Sequence, residues 1–210
     1  MGFSEVVCAR VDVEKMSDTE ELGLVDTVRR DLARYNRAGK SLGVAMATAL
    51  YTHPAFLGLL FYRLARHLQA SRRTLIAKPI YWVLRVLHPI VRIYSGVEVH
   101  PRCVIGPGAY FGHFGPIVIH PNTVIGEQVT IMHGVTLGQT RGGGAPNIGA
   151  RVSIGASASL LGPIEVGDYC VVAAGATVVT DVAAGSVVGG VPARKIGERS
   201  PDEYDEVTGA

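Results

Sequence analysis

Seven histidines, three cysteines and 18 carboxylates are the side chains of this 210-residue chain that could move protons, act as nucleophiles or hold a metal. His113 stands apart from the rest, because it lies in Gly112-His113-Phe114-Gly115-Pro116, a turn composition that presents an imidazole to solvent. Such a histidine can serve as a general base near neutral pH when a carboxylate fixes its tautomer. Glu98, 15 residues earlier, is the natural partner. His100, His120 and His133 each follow an aliphatic residue directly and read as solvent-facing or interface residues, with His133 bordering the site. The steps of 13, 7 and 13 between these four histidines lack the close pair of a three-histidine zinc site, so no metal is expected. Cys8, Cys103 and Cys170 form no CxxC and no even framework, which argues against disulfides and zinc and suits a reducing cytoplasm.

The elements that must position His113 come from a repeat. Val99, Ile105 and Phe111 keep a step of six; Ile119, Ile125, Ile131 and Leu137 keep it again after an offset of two; Ile148, Ile154, Leu160, Val166, Val172 and Val178 resume it. A hexapeptide period of aliphatic residues predicts a parallel β-helix, with three hexapeptides to a triangular coil and about four coils here. The offset falls on residues 112–116, so the extra residues must bulge outward and carry His113 with them. Glu98 lies close to one coil of 18 residues before His113 and can approach the same edge one layer below. An imidazole backed by a carboxylate in front of a stacked groove suits removal of a proton from a hydroxyl while it attacks a thioester. Cys103 and Cys170 fall at a small-residue position of the repeat and read as core. Thr140 to Asn147, rich in Gly and Pro, cannot belong to a coil, which predicts a protruding loop over 139–147.

The first half has a different texture. Leu24, Val28, Leu32 and Tyr35 recur at helical spacing, a second helix fits 41–52, and a third fits 55–69 behind Pro54. Residues 41–62 carry no formal charge, yet His53-Pro54 interrupts them, which favours two buried helices over a membrane span. Residues 74–94 are apolar with interspersed basic residues and are broken by Pro79 and Pro89; they either pack on neighbours or another subunit, or lie on a membrane surface. Residues 22–95 hold 12 Lys or Arg against Asp26 and Asp31, whereas 96–210 hold six against ten acids. With a net charge of only +2, no nucleic-acid partner is implied. The organisation expected is a flexible tail over 1–21, an α-helical domain over 22–95, a β-helix over 96–198 and an acidic tail over 199–210.

Residues 24–196 resemble the serine O-acetyltransferase family of hexapeptide acyltransferases. The resemblance rests on LVDTVRRDLARY and HPAFLGLLFYRLARHL, then VEVHP, GHFGPIVI, VTIMHGVTLGQT, NIGARVSIGASASLLGPIEVGD and GGVPAR. It implies a mainly β fold, a left-handed parallel β-helix behind an α-helical amino-terminal domain. It also implies a homotrimer with active sites between subunits, with pairing of two trimers through the helical domain left open. By the same resemblance His113 is the general base, and Glu98 takes the place of an aspartate in the Asp-hydrophobic-His-Pro motif. Acetyl-CoA would be the co-substrate, held along small residues at Gly138, Thr140, Ala156 and Ala174, with Arg194 and Lys195 near its phosphates.

The acceptor side differs from the family pattern. Gly112 stands where the family has an aspartate, Gly144 and Ala145 where it has Arg-His, and Lys40 near where the helical domain has an aspartate. The activity expected is therefore acetyl transfer to a hydroxyl of a small acceptor: L-serine by family, or a sugar, polysaccharide precursor or other natural-product hydroxyl by the missing charges. A non-catalytic trimeric scaffold is the alternative from another class. The end Val207-Thr208-Gly209-Ala210 lacks the isoleucine with which the family engages cysteine synthase, which argues against that complex.

Overall fold

The structure is a computed structural model that describes residues 22–36, 38–70 and 74–200. The expected tails, 1–21 and the stretch beyond Ser200, lie outside the described residues. Among the described residues four helices come first: α1 (Leu24–Ala33), α2 (Leu42–Thr52), α3 (Pro54–Ala70) and α4 (Thr74–Ser95). Helices α2 and α3 meet at His53 with a bend of 114°, as the proline at the first position of α3 requires: its ring holds His53 out of the helical region. No single described helix is long and apolar enough to cross a membrane.

One expectation is corrected here. Pro79 and Pro89 do not break the 74–94 stretch but lie inside α4, which runs unbroken for 22 residues. Both prolines are on the exposed side, where water can complete the carbonyls they leave unbonded, so each removes one helix bond without burying an orphan.

Fifteen short strands follow, β1 (Val97–Val99) to β15 (Arg194–Glu198). They stack in three ladders: one through Val99, Ile119, Leu137, Leu160 and Val178, one through Ile105, Ile125, Ile148 and Val166, and one through Phe111, Ile131, Ile154, Val172 and Val188 that ends on β15. All pairs are parallel except β14 (Ser186–Gly189) with β15. The first ladder has five strands, all on positions of the six-residue steps from Val99 to Val178, and Val182 with the segment near Ser186 completes a fifth coil beyond the last clean step, one more than the repeat count suggests. The inward residues, among them Phe111, Ile125, Ile131, Leu137, Ile154 and Leu160, are at most 1% exposed. Each stabilises the stack by roughly 1.5–3 kcal/mol of apolar burial. Cys103 and Cys170 belong to the same core, both 0% exposed.

Register explains the slip. Val97 pairs with Ile117 and Tyr110 with Thr130, a coil of 20 residues, whereas Ile119 pairs with Leu137, a coil of 18. The extra two residues fall between β3 (Tyr110–Gly112) and β4 (Ile117–Ile119). A later coil has 23, since Thr136 pairs with Ser159, and its five extra residues make the loop that contains Thr140–Gly143.

The helical half closes the open edge of the first coil. Tyr62 donates to the carbonyl of Cys103 at 2.7 Å, and Arg63 donates to the carbonyls of Ile105 and Gly106. Asp31 is 1% exposed; it accepts from Arg63 at 2.8 Å and from the Ala109 amide at 3.0 Å. Burial pushes the Asp31 carboxyl up, and the Arg63 guanidinium pulls it back down. Without these side chains a row of strand carbonyls and amides would be left as an unpaired edge. At the opposite end β15 covers the edge of β14.

Candidate active site

His113 occupies the turn between β3 and β4, exposed and with a left-handed backbone (φ 62°). The strand before it is pinned on its free edge. The Phe111 amide donates to the Tyr35 hydroxyl at 2.8 Å, and that hydroxyl donates to the Phe111 carbonyl at 3.2 Å. Burial pushes the Tyr35 phenol well above its ordinary range, so it stays protonated and able to donate.

The coil above brings His133 to the same corner, its ring 5.9 Å from that of His113 and nearly perpendicular. His133 Nδ1 is buried without a hydrogen-bond partner. The corner continues upward through backbone bonds: the Ser157 amide donates to the His133 carbonyl at 2.9 Å, and the Gly175 amide to the Ala156 carbonyl at 2.8 Å. Thus His113, His133, Ala156 and Ala174 share one edge of the prism. The later coils of that edge carry only small side chains, which leaves room for a thin ligand to lie along it.

Gly138 and Thr140 lie on the next edge, past the far end of the first ladder, where the Gly162 amide donates to the Gly138 carbonyl at 3.0 Å. A cavity of about 500 Å³ between α3, α4 and the outer face of that ladder joins Glu98, Thr136 and Gly138; His113 does not line it. Glu98 points outward from β1 and pairs with Arg92 at 3.2 Å, both about half exposed. No hydrogen bond joins Glu98 to His113 among the described residues; an exposed pair of this kind is worth at most about 1 kcal/mol, so Arg92 does not lock the carboxylate away. Arg194 and Lys195 begin β15, with Lys195 paired to Glu198 at 2.5 Å.

Packing and backbone hold Gly144 as glycine, whereas at Gly112 a side chain would have to displace the flexible end of Met132. A Cβ at Gly112 would lie 2.4 Å from Met132 Sδ and 3.1 Å from the Tyr110 ring. At Gly144, where φ is 75°, it would lie 2.5 Å from the Pro163 side chain. Ala145 follows, half-buried.

One residue escapes the motif reading. His53, at the end of α2, has its ring 5.3 Å from Tyr35 and 6.2 Å from Tyr110. Burial and the nearby His113 both lower its pKa, burial more. The signal in the sequence was the His53-Pro54 break itself, which marks a helix corner and does not say what the corner touches. His100 and His120 line the cavity of Glu98 and Gly138 rather than the corner of His113, and each accepts, on Nδ1, the amide two residues on, at 3.1 and 3.2 Å. Among the described residues no cluster of three or more His, Cys, Asp or Glu could hold a metal ion.

Residues 145–180 match the bacterial transferase hexapeptide family (six repeats). The serine acetyltransferase of Helicobacter pylori is 40% identical over 150 residues, covering 70% of this chain and 84% of the relative. The chain belongs to the serine acetyltransferase family. That of Mycobacterium tuberculosis is 37% identical over 171 residues, covering 79% of this chain and 72% of the relative. Among solved structures, soybean serine acetyltransferase complexed with serine is similar with a TM-score of 0.70 at 30% identity, covering 87% of this chain and 71% of that one. The Brucella abortus enzyme in complex with coenzyme A has a TM-score of 0.70 at 29% identity, covering 84% and 68%. The stack of coils is accordingly a left-handed parallel β-helix behind a helical region, and the chain is an acyltransferase.

Proposed function

We propose that this serine acetyltransferase family member transfers acetyl from acetyl-CoA to the hydroxyl of a small acceptor, L-serine in the first instance. His113 takes the hydroxyl proton as the oxygen attacks the thioester carbonyl; the C–S bond breaks, and the imidazolium returns the proton to the departing thiolate. Glu98 swings from Arg92 to orient the imidazolium. Backbone donors, with the ring of His133 beside them, meet the oxyanion. Acetyl-CoA lies along Ala156 and Ala174, reaches Gly138 and Thr140 across a subunit boundary, and places its phosphates near Arg194 and Lys195. The observation that carries this reading is the single edge on which His113, His133, Ala156 and Ala174 are stacked. The working unit is a homotrimer in the cytoplasm, where acetyl-CoA is available.

A second acceptor class has its own observation. Gly112, Gly144 and Ala145 offer no charge, and Met132 and Pro163 fill the space where side chains at the two glycines would begin. An uncharged hydroxyl, as on a sugar, needs no counter-charge there. The test is thiol release from acetyl-CoA with serine, homoserine and a panel of sugars. Turnover with one class decides the acceptor; no turnover with any, together with no rise in Tm on adding coenzyme A, would leave a non-catalytic scaffold.

A further inference from the structure

Helix α4 turns Ala77, Leu84, Val91 and Ser95 toward the protein and leaves a broad apolar face in solvent. Trp82 is 63% exposed, Val86 73%, Ile90 65% and Ile93 77%. A contiguous apolar surface of this kind marks an interaction site. Its charges are of one sign: Lys78 and Arg85 on α4 have no carboxylate partner among the described residues, and Arg85 lies 5.8 Å from the Trp82 ring. Arg72 and Arg73 precede the helix in sequence, and residues 32–97 hold ten Lys or Arg and not one Asp or Glu.

Two occupants could cover the face. A neighbouring subunit seated on α4 would have to bring carboxylates to Lys78 and Arg85, because every formal charge on α4 itself is positive. An anionic bilayer supplies both missing parts, acyl chains for the apolar face and phosphates for the cations. We propose that α4 lies in the plane of an anionic membrane surface, its apolar face inserted and Lys78 and Arg85 at headgroup level, with Trp82 at the boundary where indoles concentrate. The enzyme would then work at a membrane surface without spanning it. This holds whichever acceptor is acylated.

Trp82 is the only tryptophan in the chain, so its emission reports directly on what covers α4. The full chain is floated with vesicles of phosphatidylcholine alone and with added phosphatidylglycerol, and emission is recorded at falling protein concentration. Flotation with the anionic vesicles only, with a blue shift of Trp82, is expected. Each cation near such a surface contributes about five-fold to partitioning, so Lys78→Gln with Arg85→Gln should weaken binding by roughly ten-fold or more. Ile90→Glu should abolish it, with circular dichroism and Tm unchanged to show that both variants fold. An indole that is already blue-shifted without lipid, whether or not it becomes exposed on dilution, would assign the face to a second copy and overturn the proposal. Exposed emission with no flotation on either vesicle would overturn it as well.

Discussion

Removing a single oxygen, Tyr35→Phe, tests how the helical half holds the turn of His113. The Tyr35 hydroxyl satisfies both main-chain groups of Phe111 on the free edge of β3, at 2.8 and 3.2 Å, two residues before His113. The ring keeps its packing in the variant, 4.7 Å from Phe56 and 4.6 Å from Tyr110, so only the hydrogen bonds go. An orphaned buried amide or carbonyl costs about 1–3 kcal/mol. The site is partly buried, so the lower part of that range applies, and the two together should cost about 2–3 kcal/mol. For a chain of this length that is a Tm lower by about 5–10 °C. Because the loosened strand leads into the turn of His113, kcat should fall by about ten-fold while KM for acetyl-CoA stays unchanged. Calorimetry and thiol-release kinetics read the two effects. A Tm within about 2 °C of the parent would show that water replaces the hydroxyl freely, and the clamp would then have no energetic content.

His113→Ala should lower turnover by about 10²-fold or more with coenzyme A binding intact, measured by thiol release and by heat stabilisation with coenzyme A; a retained rate would remove the general base. His53→Gln should raise KM for the acceptor and leave KM for acetyl-CoA alone. The depressed pKa of His53 means that the unfolded chain binds the proton more readily, so stability falls as pH drops through the ordinary histidine range. In the Gln variant the loss of Tm between neutral and mildly acid pH should be smaller. The Cys103 thiol, pushed up to about 12 by burial, should resist alkylation at pH 8 until urea unfolds the coils; peptide mass mapping before and after denaturation checks this.

The β-helix was legible because a coil admits only apolar side chains inward, and the same residue types must return at each turn. The slip at 112–116 was legible for the same reason, since neighbouring inward rows keep their phase while the turn absorbs the difference. The far end of the stack was not. Val182 and the segment near Ser186 pair in register without the clean step of six, which hid the completion of the last coil. The contacts that cap the first coil join positions far apart in sequence, Arg34 to Gln128 and Tyr35 to Phe111 among them, and no local pattern announces them. His53 belongs to that class: a helix corner reads as punctuation until the coil it faces is known. Nor could the repeat say that Met132 closes the space beside Gly112, because outward residues are free of the period.

In the function proposed, the choice of acceptor turns on one loop. Serine carries an ammonium and a carboxylate, and neither binds well in a site without counter-charges. Gly144 cannot regain a side chain cheaply, since Pro163 occupies the space where its Cβ would go and its φ is left-handed. The same loop retains one cation, Arg141, exposed at its outer turn. If serine is the acceptor, Arg141 is the group within this loop that can meet its carboxylate, and Arg141→Gln should raise KM for serine by about ten-fold or more, the range of one charge-assisted hydrogen bond, with kcat and KM for acetyl-CoA little changed. If the acceptor is neutral, the same substitution should leave its KM within about two-fold. Steady-state kinetics on both acceptor classes separates the cases. A serine-using enzyme indifferent to Arg141 would mean that the carboxylate is held from outside the loop, and the argument from Gly144 and Ala145 to acceptor charge would fail with it.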